Sequence, residues 1–192
     1  AVPRADIFAA SPEIYSNLSA EFPFLARRDR VPKQMVFSRL FSAMGFTGFY
    51  FPFTGESNLN VDPPPCPLPA TIAHELAHQR GIASEQECNF LAVAACLACD
   101  DPVYQYSGCL MGYIHLGNAL YGADYDRWLA IRESLPETVL ADLRYHSAYW
   151  DQFEGLTAEV SEKIYDTALK SYGQADGIQS YGTVVDLLVA YY

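Results

Sequence analysis

The run His74-Glu75-Leu76-Ala77-His78 constrains this chain more than any other feature. Residues four apart share one face of an α-helix, so both imidazoles can reach a single ion. The neighbours Ala70, Ile72, Ala73, Leu76 and Ala77 are apolar, which marks the helix as mostly buried. Two histidines and a glutamate buried without partners are costly, and a shared metal ion removes that cost. The fold must therefore close a core around this helix while leaving metal and water a place beside it. Glu75 is turned about 100° from His74, where its carboxylate can take a proton from a metal-activated water without being a ligand itself.

A hydrolytic zinc site takes three protein ligands and leaves one position to water. The third ligand is expected just downstream, in Gly81-Ile-Ala-Ser84-Glu85-Gln-Glu87-Cys-Asn89. Gly81 permits a left-handed turn that sends the chain back along the first helix. Ser84 then reads as an N-cap with Glu87 as its capping-box partner, which favours Glu85 as the ligand and leaves Glu87 as the alternative. Asn89 lies one turn after Glu85, placed to hydrogen-bond a ligand from behind. Ser84 occupies the position a three-histidine site would need, which excludes that version. Two imidazoles and a carboxylate suit one Zn2+ ion, although cobalt or manganese would satisfy the same donors.

The rest of the chain reads as one domain of 192 residues. Residues 1–30 form a helical segment, with Ser11 as N-cap, Pro12 in the first turn and Pro23 as its stop. Residues 31–62 hold aromatic and β-branched runs (Met35–Phe41, Phe46–Phe53, Ser57–Val61) split by glycines, expected to form a small twisted antiparallel sheet with Pro52 on an edge strand. A proline-rich connector, Pro63–Pro69, leads to the metal-binding helices at 69–100. Residues 104–192 are helical in pattern, over roughly 104–121, 124–133, 136–153, 157–171 and 180–191. The expected class is α+β, the sheet packed on a mainly helical body.

A formal net charge of -11 argues against a nucleic-acid surface. The longest apolar run, Phe90–Cys99, has ten residues, whereas a membrane span needs about 20. Cys96 and Cys99 form a CxxC inside that run and read as buried thiols. His115, in an apolar helix, reads as a satisfied core histidine.

The stretch Glu85-Gln-Glu-Cys-Asn-Phe-Leu-Ala92 resembles the glutamate-bearing helix of gluzincins, with Cys88 where that pattern usually has alanine. More closely, Gly48–Glu56, His74–Gly81, Asp100–Pro102, Tyr106–Gly108 and Asp176–Gly182 resemble a bacterial family known as domain of unknown function 3810, over roughly residues 30–192. The resemblance implies a zincin-like domain with a peptide or protein substrate. It is usually carried behind N-terminal membrane helices, so an extracytoplasmic setting is expected, with the membrane met only through segments outside this chain. It names no substrate, and a zinc-bearing binding or sensory domain of little activity is the alternative. In similar enzymes a later helix often supplies an oxyanion donor; Tyr181 is the first expectation and His146 the second. Zincins also lay substrate along an edge strand, for which Thr54–Asn60, with Glu56, Asn58 and Asn60, is the local choice.

Overall fold

A helix with apolar residues on nearly every side has to be central, and α4 (Leu68–Gln79) is. In the computed structural model, Leu68, Ile72 and Leu76 are buried along with the alanines between them. Each large side chain contributes about 1.5–3 kcal/mol by leaving water. The structure describes residues 2–153 and 181–192, without the side chain of Tyr181. Around α4 are packed α5 (Glu85–Ala98), α6 (Pro102–Ala123) and a sheet of β1 (Lys33–Gln34), β2 (Gly48–Phe51) and β3 (Glu56–Leu59). The remaining helices are α1 (Arg4–Ala10), α2 (Ser16–Glu21), α3 (Ser38–Ala43), α7 (Tyr125–Ser134), α8 (Glu137–Asp151) and α9 (Tyr181–Tyr191). The class is α+β, mostly helical. No helix among the described residues is long and apolar enough to cross a membrane.

The N-terminal segment clamps α4 and its neighbours through tyrosine hydroxyls. Tyr15 Oη donates to Ala73 O at 2.8 Å, and Tyr104 Oη of α6 donates to Ile7 O at 2.8 Å. Ser11 is not an N-cap, because α1 starts earlier, after Pro3. Pro12 has no N–H for the carbonyl of Phe8. Ser11 Oγ donates to that carbonyl instead, at 2.8 Å, and the chain passes through a 3-10 turn at Ser11–Glu13. Pro23 does stop α2, as expected.

The sheet is mixed rather than antiparallel, in the order β1-β3-β2. β2 and β3 form the antiparallel hairpin, while β1 lies parallel to β3. A parallel neighbour needs a crossover, and the chain makes one with α3 and β2. The run Met35–Phe41 is therefore only briefly extended. Its second half is α3, whose Phe41 ring stacks on Phe49 at 5.8 Å. A run of only seven residues fits either element, and here the packing of Phe41 decides. β2 is an edge strand that ends before Pro52. Beyond α5 and α6, Val184 and Leu188 of α9 pack against Val93. The helix expected over 157–171 lies outside the described residues.

Candidate metal centre

Strand alternation decides which part of the sheet meets α4. Gly48 and Tyr50 of β2 face the helix, as do Ser57 and Leu59 of β3. Ser57 Oγ donates to Glu75 O at 3.1 Å, and Leu59 is fully buried. The Tyr50 ring lies nearly parallel to that of His78, with centroids 6.4 Å apart. Gly48 matters through its missing side chain. A Cβ there would stand 2.6 Å from Glu75 Oε1, so only glycine lets β2 pass this close.

The end of α4 orients the second histidine. Gly81 takes φ 85°, and Ile82 N donates to Ala77 O at 3.3 Å, closing the turn expected of a glycine just past a helix end. That turn lays the Ile82 carbonyl 2.8 Å from His78 Nδ1. Ser84 then caps α5, its Oγ accepting from Glu87 N at 3.4 Å. Glu87 is consequently exposed, while Glu85 turns inward.

The two histidines and Glu85 converge. Glu85 Oε2 is 3.1 Å from His74 Nε2, and Oε1 is 3.4 Å from His78 Nε2. His74 Nδ1 meets Asn89 Oδ1 at 2.8 Å. An amide oxygen and a backbone carbonyl only accept, so each Nδ1 is the donor of its pair and each Nε2 is the nitrogen that faces the Glu85 carboxylate. A carboxylate facing two ring nitrogens this closely needs positive charge between them, which either a proton on Nε2 or a metal cation supplies. Zn–N and Zn–O bonds of about 2.0–2.1 Å in a tetrahedron put ligand atoms roughly 3.3 Å apart, close to the two spacings here, which run to different oxygens of the carboxylate.

Electrostatics agree with the geometry. Burial acts against charge on His78, but its contacts with Cys88 and Glu85 outweigh it and raise the imidazole's affinity for a proton. Burial likewise opposes ionisation of Glu85, but its contacts with both histidines hold the carboxyl far below the usual range. The cluster is built to hold positive charge. Glu75 differs: only 3% exposed, it is pushed up to about 7 by burial, with the neighbouring histidines acting the other way. Its Oε2 is buried without a hydrogen-bond partner. An orphaned carboxylate oxygen beside a converging donor set fits a water or substrate group supplied by the site.

Cys88 is a contact that sequence reasoning treated only as a departure from a pattern. Its Sγ lies 3.4 Å from His78 Nδ1. One ligand atom each from His74, His78 and Cys88 falls within 4.8 Å of the others, so this group could also hold a metal ion. Sequence reasoning missed Arg80 as well. Its guanidinium makes a bidentate pair with Asp29 at 2.7 and 2.8 Å and donates to the carbonyls of Leu25 and Leu76, all buried, over the face of Tyr15 at 3.7 Å. Gln79 bridges to Arg30 and Ser57. These contacts hold the last turn of α4 from the side away from His74 and His78.

Other expected site residues are placed elsewhere. Glu56 and Asn58 lie on the face of β3 turned away from α4, with Glu56 paired to Lys33 at 2.6 Å. β3 is the central strand, hydrogen-bonded on both sides, so the edge strand beside Glu75 is β2. Asn60 is a buried tie between elements, donating to Ser42 Oγ and Phe46 O, each at 2.8 Å. His146 Nε2 accepts from Trp150 Nε1 at 3.0 Å and lines a cavity of about 620 Å³ between α6, α7 and α8 that none of the converging side chains reaches. His115 is half-buried rather than in the core and lies near enough to His74 that burial, and then the charge of that histidine, lower its proton affinity. The side chain of Tyr181 lies outside the described residues. Cys96 and Cys99 are buried, unbridged thiols.

No curated protein and no solved structure matches this chain. A family model does, over residues 2–189, nearly the whole sequence: the chain belongs to the family described as Protein of unknown function (DUF3810).

Proposed function

We propose that the chain is a zinc-dependent metallohydrolase acting on peptide bonds, with His74, His78 and Glu85 as ligands. The observation that carries this reading is the approach of two histidine Nε2 atoms to one carboxylate, with an orphaned Glu75 oxygen on the same helix. Glu85 is preferred to Cys88 because Cys88 meets His78 at Nδ1, the nitrogen already committed to the Ile82 carbonyl. Helix α4, the glutamate at the start of α5 and a small sheet against α4 together support a zincin-like arrangement.

A zinc ion held there would polarise a substrate carbonyl and make water more acidic. The protein's own residues do the rest. Asn89 and the Ile82 carbonyl fix the two imidazoles so that both Nε2 atoms face one point. Glu75, whose carboxyl burial lifts into the neutral range, accepts the proton of the attacking water and passes it to the departing amine nitrogen. Gly48 keeps β2 against that carboxylate, which makes β2 the strand along which an extended peptide would lie.

The test is hydrolysis of a mixed peptide library by zinc-loaded protein and by Glu75→Gln. The reading expects full zinc content in the variant and a rate lower by about 100-fold or more. Equal hydrolysis by both proteins overturns the role of Glu75. Full zinc with no hydrolysis by the wild type points instead to a zinc-bearing binding domain.

A further inference from the structure

The side of the sheet turned away from α4 carries an apolar surface that the metal site does not explain. Phe53 is 90% exposed and Val36 89%, followed by Phe37 at 70%, Leu40 at 59% and Phe51 at 45%. The aromatic residues form a continuous stripe. The Phe53 and Phe51 rings are 5.5 Å apart, Phe49 follows on the same face of β2, Phe41 stacks on Phe49, and Phe37 precedes Phe41 by one helical turn. The most exposed members sit on the β2–β3 turn and on the turn before α3, at opposite ends of short strands. They project rather than line a groove.

Positive charge gathers in the same stretch of the chain. Residues 24–54 hold five of the chain's 12 lysines and arginines, at Arg27, Arg28, Arg30, Lys33 and Arg39, but one of its 23 acids. That acid, Asp29, is buried against Arg80. The segment's formal +4 is partly offset by acids just beyond it, Glu56 on Lys33 and Asp62 on Arg39, which leaves Arg27, Arg28 and Arg30 as the local excess within a chain of -11. The two features meet at the hairpin tip, where Arg30 Nη1 donates to Thr54 O at 2.9 Å beside Phe53. Arg27 and Arg28 are exposed just upstream.

We infer that this face docks on the surface of an anionic lipid bilayer. Projecting phenylalanines enter the boundary between headgroups and acyl chains, and flanking arginines meet lipid phosphates. Projecting rings on turns suit insertion into the boundary of a bilayer, and none of the described cavities opens on this stripe. An exposed apolar patch marks an interaction surface, and local positive charge beside it selects a negative one. Docked in this way, β2 would rest its outer face on the lipid while its inner face borders Glu75. The inference stands apart from the metal, because none of these side chains touches it.

The test is flotation of the whole chain with phosphatidylcholine vesicles and with mixed phosphatidylcholine–phosphatidylglycerol vesicles. The wild type is expected to float with the mixed vesicles only, and to be released as salt rises. Phe53→Ser should weaken this binding about tenfold. Arg27→Glu/Arg28→Glu should abolish the preference for phosphatidylglycerol. All these positions are exposed, and an unchanged melting temperature would confirm intact folding. Wild type that fails to float at low salt overturns the inference, as does flotation that survives both changes. Concentration-dependent self-association, lost in Phe53→Ser and without flotation, overturns it in favour of an interface between copies.

Discussion

Helices α4 and α7 are of similar length and opposite construction. Nine of the twelve residues of α4 are buried. Its polar ends are held by side chains from other elements: Ser107 Oγ accepts from Ala70 N at 2.9 Å, and Arg80 anchors the last turn. None of the ten residues of α7 is buried, and its cap and ion pair come from its own neighbour Asp124. One helix exists through tertiary packing, the other largely through local bonds. The proposed chemistry lies on the first because a metal site needs ligands held to within fractions of an ångström, and only tertiary contacts from several directions hold them so.

That contrast can be broken in graded steps. The largest effect is expected from Arg80→Met, which leaves Asp29 charged and buried; the loss should be about 3–5 kcal/mol in urea unfolding. A loss under 1 kcal/mol would show that the pair does not anchor α4. Gly48→Ala should come next, at about 1–3 kcal/mol for the overpacking. It should also suppress hydrolysis more than zinc content, because the new Cβ meets Glu75 and not the ligands. Ser84→Ala removes the cap of α5 and should cost about 1 kcal/mol. Zinc affinity should fall with it, because Glu85 is the first residue of that helix; competition with a chromophoric chelator would read this. The smallest change is expected from Arg127→Ala on α7, within about 0.5 kcal/mol. A larger cost there would mean that α7 is held by more than its local bonds.

Sequence and structure agree best where the signals are short-range. The helix carrying His74 and His78, the left-handed turn at Gly81 and the cap at Ser84 all rest on spacings of a few residues, and each has its counterpart in the structure. The convergence of Glu85 and Asn89 on the histidines follows from that local geometry. The parallel pairing of β1 with β3 and the helical half of Met35–Phe41 were illegible, because both depend on contacts across the chain. Arg80 to Asp29 spans 51 residues, and no periodicity announces it. Gly48 was visible only as a break between aromatic runs. Its reason, a carboxylate 27 positions later, appears once β2 is packed on α4.

The central claim is the ligand set, and metal content by elemental mass spectrometry tests it most directly, on wild type, Glu85→Ala and Cys88→Ala purified and reconstituted alike. The account predicts near-stoichiometric zinc in the wild type and in Cys88→Ala, and its loss in Glu85→Ala. Zinc retained without Glu85 but lost without Cys88 would contradict that set, and a wild type unable to take up zinc would contradict the metal centre itself.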